Sequence, residues 1–77
     1  MLQENLAKYA HDAWSGWMHY MYSQSSLNND GTVTIPKNLV ERWKRQMNTD
    51  YEKLPESEKT SDLKEADEML AIMKSNA

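Results

Sequence analysis

Residues 3–24 carry apolar side chains at helical spacing around half of a helix, and this feature constrains the fold most. Leu6, Ala10, Ala13, Trp14, Trp17 and Met21 recur three and four residues apart, the period of one helix face. Leu2, Ala7, Tyr9, Met18 and Tyr20 widen that stripe to roughly half the circumference. Lys8, Asp12, Ser15 and His19 fill the opposite side. A stripe this broad needs cover on two flanks, from the rest of the chain or from a second copy.

The rest of the chain is short. With 77 residues it makes one domain. A domain of that size buries only about 60% of the surface its unfolded chain exposes, so its stability is marginal without a staple or a partner. The sequence has no cysteine, so disulfides, zinc ribbons and thiol nucleophiles are excluded. No apolar run approaches the roughly 18 residues of a membrane span. The start lacks the basic and apolar regions of a secretory signal. These readings predict a cytoplasmic protein.

Beyond the first helix, residues 25–35 read as a loop. Asn29-Asp30-Gly31 is a turn signal, because glycine takes positive φ without steric cost. The β-branched run Thr32 to Ile35 predicts a short extended segment or small hairpin. Pro36 suits the first turn of a second helix over 36–47, capped near Thr34 or Ile35, with Leu39, Val40, Trp43 and Met47 as its stripe. Residues 48–55 form a turn, and Thr49 to Glu52 has the spacing of a capping box. A third helix spans 56–75, with Leu63, Ala66, Leu70 and Met73 as its stripe and Met69 at the edge. The expected fold is therefore mainly α: a compact three-helix domain with a short hairpin-like or extended segment between the first two helices.

Charge is unevenly placed. The net charge is −3. Residues 36–47 hold Lys37, Arg42, Lys44 and Arg45 against Glu41, whereas residues 48–77 hold eight acids against four lysines. A basic element thus lies between acidic ones, which reads either as complementarity between neighbouring helices or as a cationic rim for an anionic ligand.

Two charges in the third helix stand out. Lys59 and Asp62 share the angular sector of its apolar stripe. An unpaired buried charge is costly, so such residues are paired, snorkelling or functional. One reading lays the Lys59 stem over an aromatic ring and lets Asp62 cap a turn. The other places both in a pocket at the helix start, where backbone N–H groups favour anions. His11 beside Trp14, central Trp43 and Tyr51 could supply its walls. Spacing alone leaves a pocket and a filled aromatic core both open.

Several chemistries are set aside. No zinc-protease, phosphate-loop, nucleophile-elbow or EF-hand pattern occurs, and the chain is read as non-enzymatic with no cofactor. His11 and His19 lie about 12 Å apart along a helix, too far to share a metal. The Asp67-Glu68 pair reads as solvation. Arg42, Lys44 and Arg45 diverge around their helix in an acidic domain, which argues against DNA. The first helix has too few cations on its polar side for an anionic membrane surface.

The order and spacing of three segments resemble a known family. "LAKYAHDAW" (Leu6 to Trp14), then Trp43, then "YEKLPESEKTSD" (Tyr51 to Asp62) leading into a helix, are similar to the repeat domain of ryanodine receptors, the RyR domain. The run through "AWSGWM", "DGTVTIP" and "VERWKRQM" is more similar to small single-copy proteins of bacteria and their phages. Asp50 stands where the receptor repeats have a proline, and Leu63 where an arginine often follows the aspartate. The resemblance covers roughly residues 5–74.

It implies a helical, non-enzymatic module that binds a nucleotide-derived signal, such as a cyclic nucleotide or an ADP-ribose derivative. In a phage protein this implies a counter-defence sponge in the host bacterial cytoplasm. The expected ligand-binding residues are His11, Trp14, Trp43, Tyr51, Lys59 and Asp62, with Arg42 and Arg45 as rim cations. The alternative is a protein-interaction or self-assembly domain that docks through the aromatic face of the first helix, giving a homo-oligomer. Neither reading calls for DNA or a membrane.

Overall fold

The computed structural model describes residues 1–76. It contains α1 (Leu2–Ser23), β1 (Ser26–Leu27), β2 (Val33–Thr34), α2 (Lys37–Met47), a 3-10 turn (Tyr51–Lys53) and α3 (Glu56–Ser75). The mainly α, three-helix architecture with a hairpin after the first helix is the one the sequence predicts.

Local chemistry explains the boundaries. After α1, the Ser23 and Ser25 hydroxyls donate to the carbonyls of Tyr20 and Met21 and so tie off the last turn. The two strands pair antiparallel, with Ser26 opposite Thr34 and Leu27 opposite Val33. Their turn closes because Gly31 adopts φ +88°, a region that L side chains rarely occupy. Asp30 then accepts from the Thr32 N–H at 3.0 Å and the Thr32 hydroxyl at 2.6 Å. This bonding holds the Asp30 carboxyl below its ordinary value.

Both remaining helices start at proline. Pro36 and Pro55 occupy the N-cap positions, one residue earlier than a first-turn proline, and their carbonyls accept the first helical N–H groups. The expected capping box at Thr49 to Glu52 does not form. Thr49 donates back to the Arg45 carbonyl at 2.6 Å instead, and Asp50 starts the 3-10 turn without a side-chain cap.

Four contacts, two of them between α1 and α3, define the tertiary arrangement. The Tyr9 hydroxyl donates to Glu65, joining the first half of α1 to α3. Asn5 and Asn76 also meet, at 3.3 Å, so α1 and α3 run antiparallel. Tyr20 of α1 meets Trp43 of α2 edge-on, with ring centroids 6.4 Å apart. Arg45 of α2 pairs with Glu58 of α3 at 2.6 Å. Thus α1 and α3 touch at one end, and α2 bridges their other ends. The result is a flat three-sided frame with extents of 49 × 32 × 16 Å.

Burial follows the frame. Among the described residues only Leu39, Leu54 and Glu58 are buried, and no side chain is fully enclosed. The α3 stripe departs from expectation. Leu63, Leu70 and Met73 remain 53%, 61% and 49% exposed. The side of α3 turned toward α1 and α2 instead carries Glu58, Glu65 and Glu68. Glu68 therefore faces the frame interior rather than open solvent as expected, because α3 docks through polar contacts and leaves its apolar stripe outside.

Candidate binding groove

The inside of the frame is a groove of about 610 Å³, a size typical of small-molecule sites. Its α1 wall is Tyr9, Trp17 and Tyr20, with Ala13 and Gly16 keeping it open between the rings. From α2 come Arg42, Trp43 and Gln46; from α3 come Glu58, Lys64, Glu65 and Glu68 with two serines. Helix periodicity explains the α1 wall: Tyr9, Ala13, Gly16 and Tyr20 recur at four-, three- and four-residue spacing and so share one face.

Glu58 is the most unusual group in the groove. It is 7% exposed, a deeply buried charge in a chain with little interior. One oxygen pairs with Arg45, and the first turn of α3 adds the favourable end of the helix dipole. The other oxygen, Oε1, is shut off from solvent and has no hydrogen-bond partner. A buried carboxylate oxygen left unbonded is unfavourable. Two other acids are accounted for differently. Glu65 accepts from Tyr9, which pushes the Tyr9 hydroxyl up to about 12 from an ordinary 10.0. Glu68 and Asp12 line the groove together with the cations Arg42 and Lys64, so charge there is mixed.

The sequence-expected site residues fall in three places. Trp43 and Arg42 line the groove. Arg45 stands at its corner, held by Glu58. Tyr51 and Lys59 meet outside it: the Lys59 ammonium lies 5.8 Å from the Tyr51 ring centroid and 3.9 Å from Glu56. Lys59 therefore sits between a ring and a carboxylate, with its ammonium rather than its stem over the ring. Asp62 is exposed. His11 and Trp14 lie together on the outer flank of α1, with ring centroids 6.1 Å apart, and do not enter the groove.

Sequence reasoning missed Glu58 and Glu65 as interior groups and placed Tyr9 only at the edge of the α1 stripe. Glu58, three residues after Pro55, reads as an ordinary helix-start acid, and nothing local announces a partner thirteen residues earlier. Tyr9 and Glu65 each sit at the border of a stripe, where burial depends on how two helices meet. Among the described residues no cluster of three or more metal-ligating side chains occurs, and no helix is long and apolar enough to cross a membrane. Comparisons with family models, curated proteins and solved structures find no match to this chain.

Proposed function

We propose that the chain is a non-enzymatic binding module that holds a nucleotide-derived small molecule in the three-helix groove. The observation that carries this reading is an open groove that Trp17, Tyr20 and Trp43 line together with the buried acid Glu58 and the cations Arg42 and Lys64. A planar ring stacks on Trp43, Trp17 or Tyr20, a sequence-tolerant contact for any base. The ring's N–H edge faces the acidic α3 wall of the groove, lined by Glu58, Glu65 and Glu68. Arg42 and Lys64 then meet the anionic part of the ligand. A base with exocyclic N–H groups joined to a phosphate supplies all three features. The resemblance to single-copy phage domains supports sequestration as the role.

A thermal-shift screen tests this reading against cyclic oligonucleotides, ADP-ribose derivatives and common mononucleotides. Ligand at about a hundred times its dissociation constant adds about 2.7 kcal/mol. In a domain this small that raises the midpoint by roughly 10 °C or more. The shift is expected to vanish in Trp43→Ala and Glu58→Gln and to persist in Lys59→Ala. A flat response to every compound sinks the reading. A shift lost only in Lys59→Ala moves the site to the Tyr51 corner.

A further inference from the structure

One side of the frame is bare and apolar. On α1 the stripe Ala7, Ala10, Trp14, Trp17 and Met21 steps three, four, three and four residues. On α3 the stripe Leu63, Ala66, Leu70 and Met73 steps three, four and three. Both are the spacing of a helix–helix seam. Trp14 is 59% exposed, and the large α3 residues are equally open.

The two stripes share a side. In each helix the stripe lies in the same rotational sense from the residues that face the other helix. For two antiparallel helices, the same sense of rotation carries both stripes to one side of the pair. A shallow apolar hollow of about 160 Å³, bounded by Trp17, Met18, Met21 and Trp43, continues the α1 stripe.

We infer that this side is the interface of a homodimer, covered by the same side of a second copy. Area selects the occupant. The chain exposes 6381 Å², whereas a folded monomer of its mass exposes about 4,900 Å². Burying the excess of about 1,500 Å² on each chain gives an interface within the range of obligate homodimers. The radius of gyration, 15.7 Å, likewise exceeds the roughly 11.5 Å of a globular chain this long. A two-fold interface requires a surface that complements itself. This one is apolar along its length, with small Ala7 and Ala10 at one end of the α1 stripe, large Trp14, Trp17 and Met21 at the other, and small Ala66 among large Leu63, Leu70 and Met73 on α3. Lys59 and Asp62, the charges within the sector of the α3 stripe, are opposite in sign and lie toward one end of it. The inference does not rest on the ligand reading, and its test uses no ligand.

Two measurements decide it. Sedimentation equilibrium of the full chain is expected to give twice the 9.0 kDa chain mass. The thermal midpoint is expected to rise with protein concentration over about two decades, as mass action requires when folding and association are linked. Leu70→Glu is expected to give a species of single-chain mass or to unfold where the wild type is folded. Its neighbour Ala71→Glu, exposed and turned away from the stripe, is expected to change neither mass nor midpoint. A higher closed multiple that Leu70→Glu breaks also supports contact between copies through this side. A single-chain mass with a concentration-independent midpoint overturns the inference. So does a Leu70→Glu variant indistinguishable from Ala71→Glu. Disperse masses of no fixed stoichiometry overturn it in favour of a different protein as the cover.

Discussion

The inside of the frame and its apolar side reverse the usual order of a small domain. Charged and hydroxyl groups face inward, where Arg45 pairs with Glu58 and Tyr9 bonds Glu65. Trp14, Leu63, Leu70 and Met73 face outward, although Trp17 and Trp43 also line the inside. In most domains apolar burial is the dominant favourable term, and polar pairs add specificity. Here the contacts within one chain are mainly specific, and the apolar area that would stabilise the fold lies unused on one side. The difference teaches that the inside and the apolar side answer to different perturbations.

The sharpest way to break this comparison is Trp14→Ala. Truncating a side chain that stays exposed changes stability by less than about 0.5 kcal/mol. Truncating one enclosed by a partner costs about 3 kcal/mol. Chemical denaturation at high protein concentration is expected to show the larger loss, shrinking on dilution as the dimer dissociates. A small loss at every concentration would make the apolar side no different from ordinary surface.

Arg45→Ala probes the inside and should come second in size. Removing one partner of a buried ion pair costs about 3–5 kcal/mol. The Arg45 side chain is 45% exposed while that of Glu58 is 8% exposed, so solvent screening lowers the expected loss to about 2 kcal/mol. In a domain this small that is roughly 10 °C in midpoint. The contact lies within one chain, so the loss should not depend on concentration. Were it to fade on dilution like the Trp14→Ala loss, the inside and the apolar side would form one cooperative surface.

Much of the fold was legible because its signals are local. The period of α1, the glycine turn at Gly31 and the prolines that open α2 and α3 each act within a few residues. The width of the α1 stripe even announced the need for two covers. The direction in which α3 docks was not legible. Its apolar stripe reads as core in any helix wheel, but a wheel does not say whether the core belongs to the same chain. The same limit scattered the expected site. Trp43 and Arg42 line the groove because α2 turns that side toward it. Lys59 and Asp62 were placed by the α3 stripe, and that stripe points away from the groove. Glu58 needed the pairing of two helices, which the linear sequence does not encode in any short pattern.

The smallest expected effect sharpens the comparison at the α1–α3 corner, where Tyr9 bonds Glu65. The Tyr9 hydroxyl donates to the Glu65 carboxylate, and its pKa is pushed up to about 12 from 10.0. Below pH 10 the hydroxyl is protonated in both the folded and the unfolded chain, so the bond contributes fully. Between pH 10 and about 12 the unfolded chain loses the proton while the folded chain keeps it. Unfolding then releases a proton, and stability falls as pH rises. Denaturation midpoints are expected to drift down across that window, and phenolate absorbance to show one tyrosine titrating near 12. Tyr9→Phe should remove the late titration and flatten that part of the drift. Lysine and other tyrosine titrations contribute to alkaline unfolding in both proteins, so the difference between the two profiles isolates this bond. Parallel profiles would mean that Tyr9 and Glu65 do not hold the corner, leaving α1 and α3 joined chiefly by what covers their apolar stripes.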